Sequence, residues 1–112
     1  MNAESTREAL DVASLAGAIL LASGAEIFRV EETIDRIARA YGVDSSDAFV
    51  LSSGIFLTAE SGKKQEFARV RHIPLSAARL DKVTAVNQLS REICSHECSL
   101  IDAWNRLERC KN

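Results

Sequence analysis

"VASLAGAILLASGA", Val12 to Ala25, is the longest uncharged run in this chain of 112 residues. Its reading decides the fold. A helix that crosses a bilayer needs roughly 18 or more predominantly apolar residues. This run has 14 and is rich in Ala, Gly and Ser. Small residues of this kind suit a helix packed closely inside a protein. The stretch therefore reads as a core helix, and residues 1–112 as a single soluble domain with one hydrophobic core.

The flanks of the run set the remaining elements. "STRE", Ser5 to Glu8, has capping-box spacing and opens this first helix. Leu15, Ala18, Ile19 and Ala22 then recur at helical spacing. "SGAE", Ser23 to Glu26, repeats the capping-box spacing, with Ser23 as N-cap and Glu26 three positions on. In the second helix Ile27, Val30, Ile34, Ile37 and Tyr41 form an apolar stripe, and Gly42 sits where a left-handed C-cap glycine belongs. "VDSSD" reads as a loop. "AFVL", "GIFLTA" and "EFARVRHI" read as three short strands, with turns at Ser52–Ser53 and Ser61–Lys64. Connections this short favour an antiparallel meander. Pro74 closes that region.

Leu80, Val83, Val86, Leu89 and Ile93 mark a third helix from about Ser76 to about His96. "SLIDAWNRLERC" continues as a short final helix, with Ser99 and Asp102 in capping-box-like spacing. The expected fold is α+β: two N-terminal helices, a three-stranded antiparallel sheet and two C-terminal helices packed on the sheet.

Composition excludes several classes. Apolar residues make up 46% and charged residues 27%, and the net charge is −2. Nothing in that balance predicts a nucleic-acid surface or a basic membrane patch. The opening "MNAESTREALD" lacks the basic and apolar regions of a secretory signal. Cys94, Cys98 and Cys110 form an odd set without such a signal, which predicts reduced thiols in the cytoplasm.

The charged residues of the second helix divide on a helical wheel. Glu26, Arg29, Thr33 and Arg36 fall on one flank of the stripe, Glu31 and Asp35 on the other. Glu32 and Arg39 point outward. Glu32–Arg36 and Asp35–Arg39 are i,i+4 pairs worth only a few tenths of a kcal/mol. Glu26 lies near the stripe's edge, where a partly buried carboxylate needs a partner. In the strand "ARVRHI", Arg69 and Arg71 share one face. Side by side they repel unless an anionic ligand, a carboxylate of the second helix or water lies across from them. If that face meets the flank of Glu26, the two clusters make one polar site.

Other candidates read as structure. "LSSG", Leu51 to Gly54, lacks the flanking glycines of a nucleophile elbow and reads as a turn. On a helix Cys94 and Cys98 share a face while His96 points away, so four converging zinc ligands are not found. The chain carries no P-loop, dinucleotide glycine motif or H-E-x-x-H, and neither cofactor nor metal is expected. His72 reads as a surface histidine at a strand end.

Taken together, "LLASGAEIFRVEETIDRIARAYGV", "SGIFLTAESGKKQEFARVRHI" and "RLDKVTAVNQLSREI" closely resemble the N-terminal soluble domain of the threonine/serine exporter family of membrane proteins. The resemblance runs from about Ala16 to Arg109. It implies a cytoplasmic domain that precedes a bundle of transmembrane helices in the cell membrane, the membrane-embedded portion being its partner. It implies a link to export of small amino acids or, in related two-component systems, of dicarboxylates. By position, the family's polar residues here are Glu26, Arg29 and Glu31, then Arg69 and Arg71, then Asn87 and Arg91. The chain departs from the family at Leu51-Ser52-Ser53-Gly54, where Thr-Pro-Thr-Gly is common, and at Ala68, where threonine is usual. It stops where the family's first transmembrane helix would begin, which leaves a piece of a longer protein or a separate polypeptide. A gating, ligand-binding or assembly role follows from the resemblance. The alternative is a hydrolase-like domain with Glu26 or Glu31 as general base, for which no nucleophile or metal is found. A homo-oligomerisation module is the third reading.

Overall fold

Residue chemistry along the chain yields seven elements, seen in a computed structural model that describes residues 3–61, 65–74 and 77–111. They are α1 (Ala3–Ala22), α2 (Ile27–Ala40), β1 (Ser45–Leu51), β2 (Gly54–Ser61), β3 (Gln65–His72), α3 (Leu80–Cys94) and α4 (Leu100–Lys111). The sheet is an antiparallel meander in the order β1-β2-β3, with Phe49, Phe56 and Val70 aligned across it. The α+β class and the element order are as the sequence implies.

The uncharged run is the centre of the molecule. Ala9, Leu10, Val12, Ala13, Leu15, Ala16, Ile19 and Leu20 of α1 are all buried. A helix that is apolar on nearly every side must be covered on nearly every side. Here β2 and β3 cover one face of α1, while α2, α3 and α4 cover the others. The inner sheet face contributes Val50, Ile55, Leu57 and Ala59 to the same core, and its outer face leaves Phe49, Leu51, Phe56 and Val70 exposed. Among the described residues no helix is long and apolar enough to cross a membrane.

The two C-terminal helices pack above the sheet through the N-terminal pair. α3 lies on α1, α2 and α4, α4 lies on α1 and α3, and among the described residues neither comes into backbone contact with a strand. The reason is that α1 and α2 already occupy the inner sheet face. The molecule is thus layered as sheet, then α1 with α2, then α3 with α4.

Several boundaries also move. α1 begins ahead of Ser5, so the expected cap falls inside the helix. Ser23 does not start α2; it helps end α1. Gly24 takes φ 97°, its N–H donates to Leu21 O at 3.2 Å, and the Ala25 N–H donates to Leu20 O at 3.0 Å. This is a Schellman ending, which glycine enters without the Cβ penalty. The α2 N-cap is Glu26, in extended conformation and with no side-chain capping bond. Gly42, at φ 92°, closes α2 in the same manner, its N–H reaching Arg39 O and the Val43 N–H reaching Ala38 O, as expected.

"SSD" joins β1 instead of the preceding loop, because Ser45 pairs with Glu60 and Ser46 with Ala59. α3 begins at Leu80 and ends at Cys94; Ser76, where its start was expected, lies outside the described residues, as do residues 62–64 of the β2–β3 turn. His96, at φ 60°, turns the chain out of α3, so Cys94 and Cys98 share no helix. The Ser99 cap is as expected, its Oγ accepting from the Asp102 N–H at 3.2 Å.

Candidate functional site

Burial of two apolar stripes positions the candidate site. α2 buries Val30, Ile34 and Ile37, and α3 buries Val86, Leu89 and Ile93. With those stripes turned inward, the polar flanks of the two helices border one groove of about 640 Å³. Glu26, Arg29 and Thr33 line it from α2 and its cap, and Asn87, Ser90 and Arg91 from α3. Four of the seven sequence-derived residues therefore come together: Glu26, Arg29, Asn87 and Arg91. Glu26 and Arg29 are exposed at the rim. This corrects the expectation that Glu26 is partly buried. As the N-cap it sits ahead of the first helical turn, where the wheel does not place it.

These groups are not committed elsewhere. Among the described residues Glu26, Arg29 and Arg91 make no ion pair. The Arg29 guanidinium lies 6.0 Å from the Phe28 ring centre, and Arg91 donates to Gln88 Oε1 at 2.8 Å. By contrast Arg36, also at the groove, is held by Glu32 at 3.3 Å. Two arginines, one carboxylate and the Asn87 amide are left to meet a ligand or a partner surface.

Glu31 is elsewhere and has a visible task. Its Oε2 accepts the Val50 N–H at 3.1 Å, and one turn later Asp35 Oδ1 accepts the Ser46 hydroxyl at 3.0 Å. β1 is an edge strand, with outward N–H groups that no strand satisfies. The α2 flank of Glu31 and Asp35 shields that edge. Asp35 thus spends its carboxylate on Ser46, and the expected contact with Arg39 is absent from the ion pairs among the described residues. Burial, the largest effect, raises the Asp35 carboxyl above its ordinary range, and the Ser46 hydrogen bond opposes it. Glu31→Ala should cost about 1 kcal/mol of stability, the usual worth of a backbone hydrogen bond to a side chain. Glu31→Gln keeps an acceptor and should stay within about half that. Urea denaturation of the two variants checks the ordering.

Arg69 and Arg71 share the inner face of β3, as the alternation implies, and they face α1. Arg69 is paired with Asp11, while its buried Nε has no hydrogen-bond partner among the described residues. Arg71 Nε–H donates to Ser14 Oγ at 2.9 Å, and the Ser14 hydroxyl donates to Asp11 O at 3.2 Å. The acidic group across from the arginines thus comes from the first helix, not the second. With α1 standing between β3 and the groove, the two clusters remain two sites. Asp11 and Ser14 are the residues that sequence reasoning missed. The available signal was that Asp11 is the last charge before the uncharged run.

Of the remaining candidates, Ser52 and Ser53 form the β1–β2 turn. Cys94, Cys98 and Cys110 are free thiols, and among the described residues no three His, Cys, Asp or Glu side chains gather at one point.

Fold and groove together define an α+β domain with a polar interhelical cleft, lined by neither His nor Cys. The model of the family described as "Putative threonine/serine exporter" matches residues 11–112. The chain belongs to that family. Neither the curated proteins nor the solved structures give a match.

Proposed function

We propose that this chain is the cytoplasmic part of a threonine/serine exporter, and that it binds the exported amino acid in the α2–α3 groove to gate the membrane-embedded portion. The observation that carries this reading is the set of opposite charges left uncommitted at one groove: Glu26 against Arg29 and Arg91. An α-amino acid at neutral pH is a zwitterion. A guanidinium can grip its carboxylate with two parallel hydrogen bonds, and a carboxylate can take its ammonium. Asn87, Thr33 and Ser90 supply neutral partners for a side-chain hydroxyl. A dicarboxylate would suit the arginines and be repelled by Glu26.

Isothermal titration of the chain with L-threonine, L-serine and succinate tests this. The two amino acids should bind with dissociation constants in the millimolar range or below. Arg29→Gln and Glu26→Gln should each weaken binding about tenfold or more, since a charge-assisted bond is worth about 1.5–3 kcal/mol. A folded sample that gives no heat with millimolar amino acid overturns the ligand reading. Succinate binding more tightly to the parent protein than either amino acid would transfer the site to dicarboxylates.

A further inference from the structure

A second cleft, of about 430 Å³, lies on a different face of α1. It opens between the later turns of α1, the end of β3, the first turn of α3 and the last turn of α4. Its floor is apolar, with the buried residues Leu15, Ile19 and Ile73. The charged side chains that line it are all basic: Arg71, Arg79, Lys82 and Lys111, with His72 beside them.

Two of these cations are already neutralised. Arg79 pairs with Asp81 at 2.7 Å, and Lys111 with Glu108 at 3.0 Å. The other two have no carboxylate partner among the described residues. Among the described residues Lys82 Nζ donates to the backbone carbonyl of Lys111, at 3.1 Å, and Arg71 donates through Nε, to Ser14. Arg71 is also half-buried, and burial pulls its guanidinium below the ordinary arginine range. The Asp11 and Glu108 carboxylates nearby offset only part of that effect, so a half-desolvated cation remains without a direct ion pair, and an anion entering the cleft would relieve the cost.

We propose that this cleft binds a small amphiphilic anion: an oxyanion headgroup shared by Arg71 and Lys82, with a short hydrocarbon body laid on Leu15, Ile19 and Ile73. The headgroup is a carboxylate or a phosphate. An amino acid is disfavoured, because no acidic side chain lines the cleft to receive its ammonium. The site is separate from the α2–α3 groove and does not depend on what that groove binds.

Titration of the whole chain, followed by amide chemical shifts, tests the proposal with acetate, butanoate, hexanoate, hexyl phosphate, inorganic phosphate and hexylamine. Affinity should rise about two- to fourfold per buried methylene along the carboxylate series. Shifts should localise to α1, the end of β3 and the start of α3. Hexylamine should not bind. Whichever of hexanoate and hexyl phosphate binds more tightly identifies the headgroup. Lys82→Glu, at a surface position, should weaken the tighter ligand at least tenfold, and Arg71→Gln should do the same wherever it folds. Arg29→Gln should leave it unchanged. No hexanoate or hexyl phosphate binding at millimolar concentration overturns the proposal, as does equal affinity in Lys82→Glu. Inorganic phosphate binding as tightly as hexyl phosphate, with no chain-length trend, overturns the apolar half of it.

Discussion

Gly17→Leu should lower the stability of the domain by about 3 kcal/mol, the upper end of what overpacking a core costs. Replacing glycine inside a helix normally gains up to about 1 kcal/mol, because the unfolded chain loses freedom. Here that gain is outweighed. A Cβ at position 17 would lie 2.5 Å from Ile34 Cδ1, 2.7 Å from Ile34 Cγ1 and 3.2 Å from Ile55 Cδ1. Ile34 and Ile55 are both 0% exposed, so neither can swing into solvent. α2 or β2 must shift instead. Gly17→Ala should already lose about 1 kcal/mol despite its better helix propensity. Thermal and urea unfolding of both variants measures this, and a Gly17→Ala protein more stable than the parent would overturn the argument. The consequence reaches the groove. α2 carries Arg29 and Thr33, and α3 carries Asn87 and Arg91. A displaced α2 opens the spacing between them, so ligand affinity at the groove should fall in Gly17→Leu even where the protein still folds.

Most of this architecture is legible in the residues because it follows from local chemistry. The period of two along "ARVRHI" puts Arg69 and Arg71 on one face, and Gly42 stops α2 whatever α2 packs against. The helical wheel separates Glu31 and Asp35 from Glu26 and Arg29, and the structure gives those two flanks different neighbours. What the sequence does not reveal is competition between two local signals and the order of layers. Ser23-Gly24 can cap the start of one helix or end the helix before it. The ending prevails, because Gly24 at positive φ lets the Gly24 and Ala25 N–H groups satisfy the last carbonyls of α1. Two arginines on one strand face require an acid, yet nothing local to "ARVRHI" says which helix provides it. That depends on α1 being the layer next to β3. The central position of α1 follows from its lack of a polar face, which its composition records but which a search for helical stripes passes over.

Ile34→Ala should cost about 3 kcal/mol on its own, within the range for removing a fully buried aliphatic side chain and leaving a cavity. Its effect should change sharply in company. Ile34 is the side chain that a residue larger than glycine at position 17 would strike, so truncating it makes room for what Gly17→Leu adds. Two independent changes would sum to about 6 kcal/mol, whereas contacting sites depart from additivity by about 0.5–3 kcal/mol. The double variant should therefore be close to either single variant in stability, with a coupling energy near the top of that range. Equilibrium urea unfolding of the four proteins closes the cycle. Strict additivity would mean that a leucine at position 17 is accommodated against Ile55, so that the sheet and not α2 yields. In that event the groove would keep its shape in Gly17→Leu, and ligand binding there would survive the loss of stability. The cycle thus locates the contact that sets the distance from α1 to α2, and with it the contact that holds the rim of Glu26 and Arg29 opposite Asn87 and Arg91.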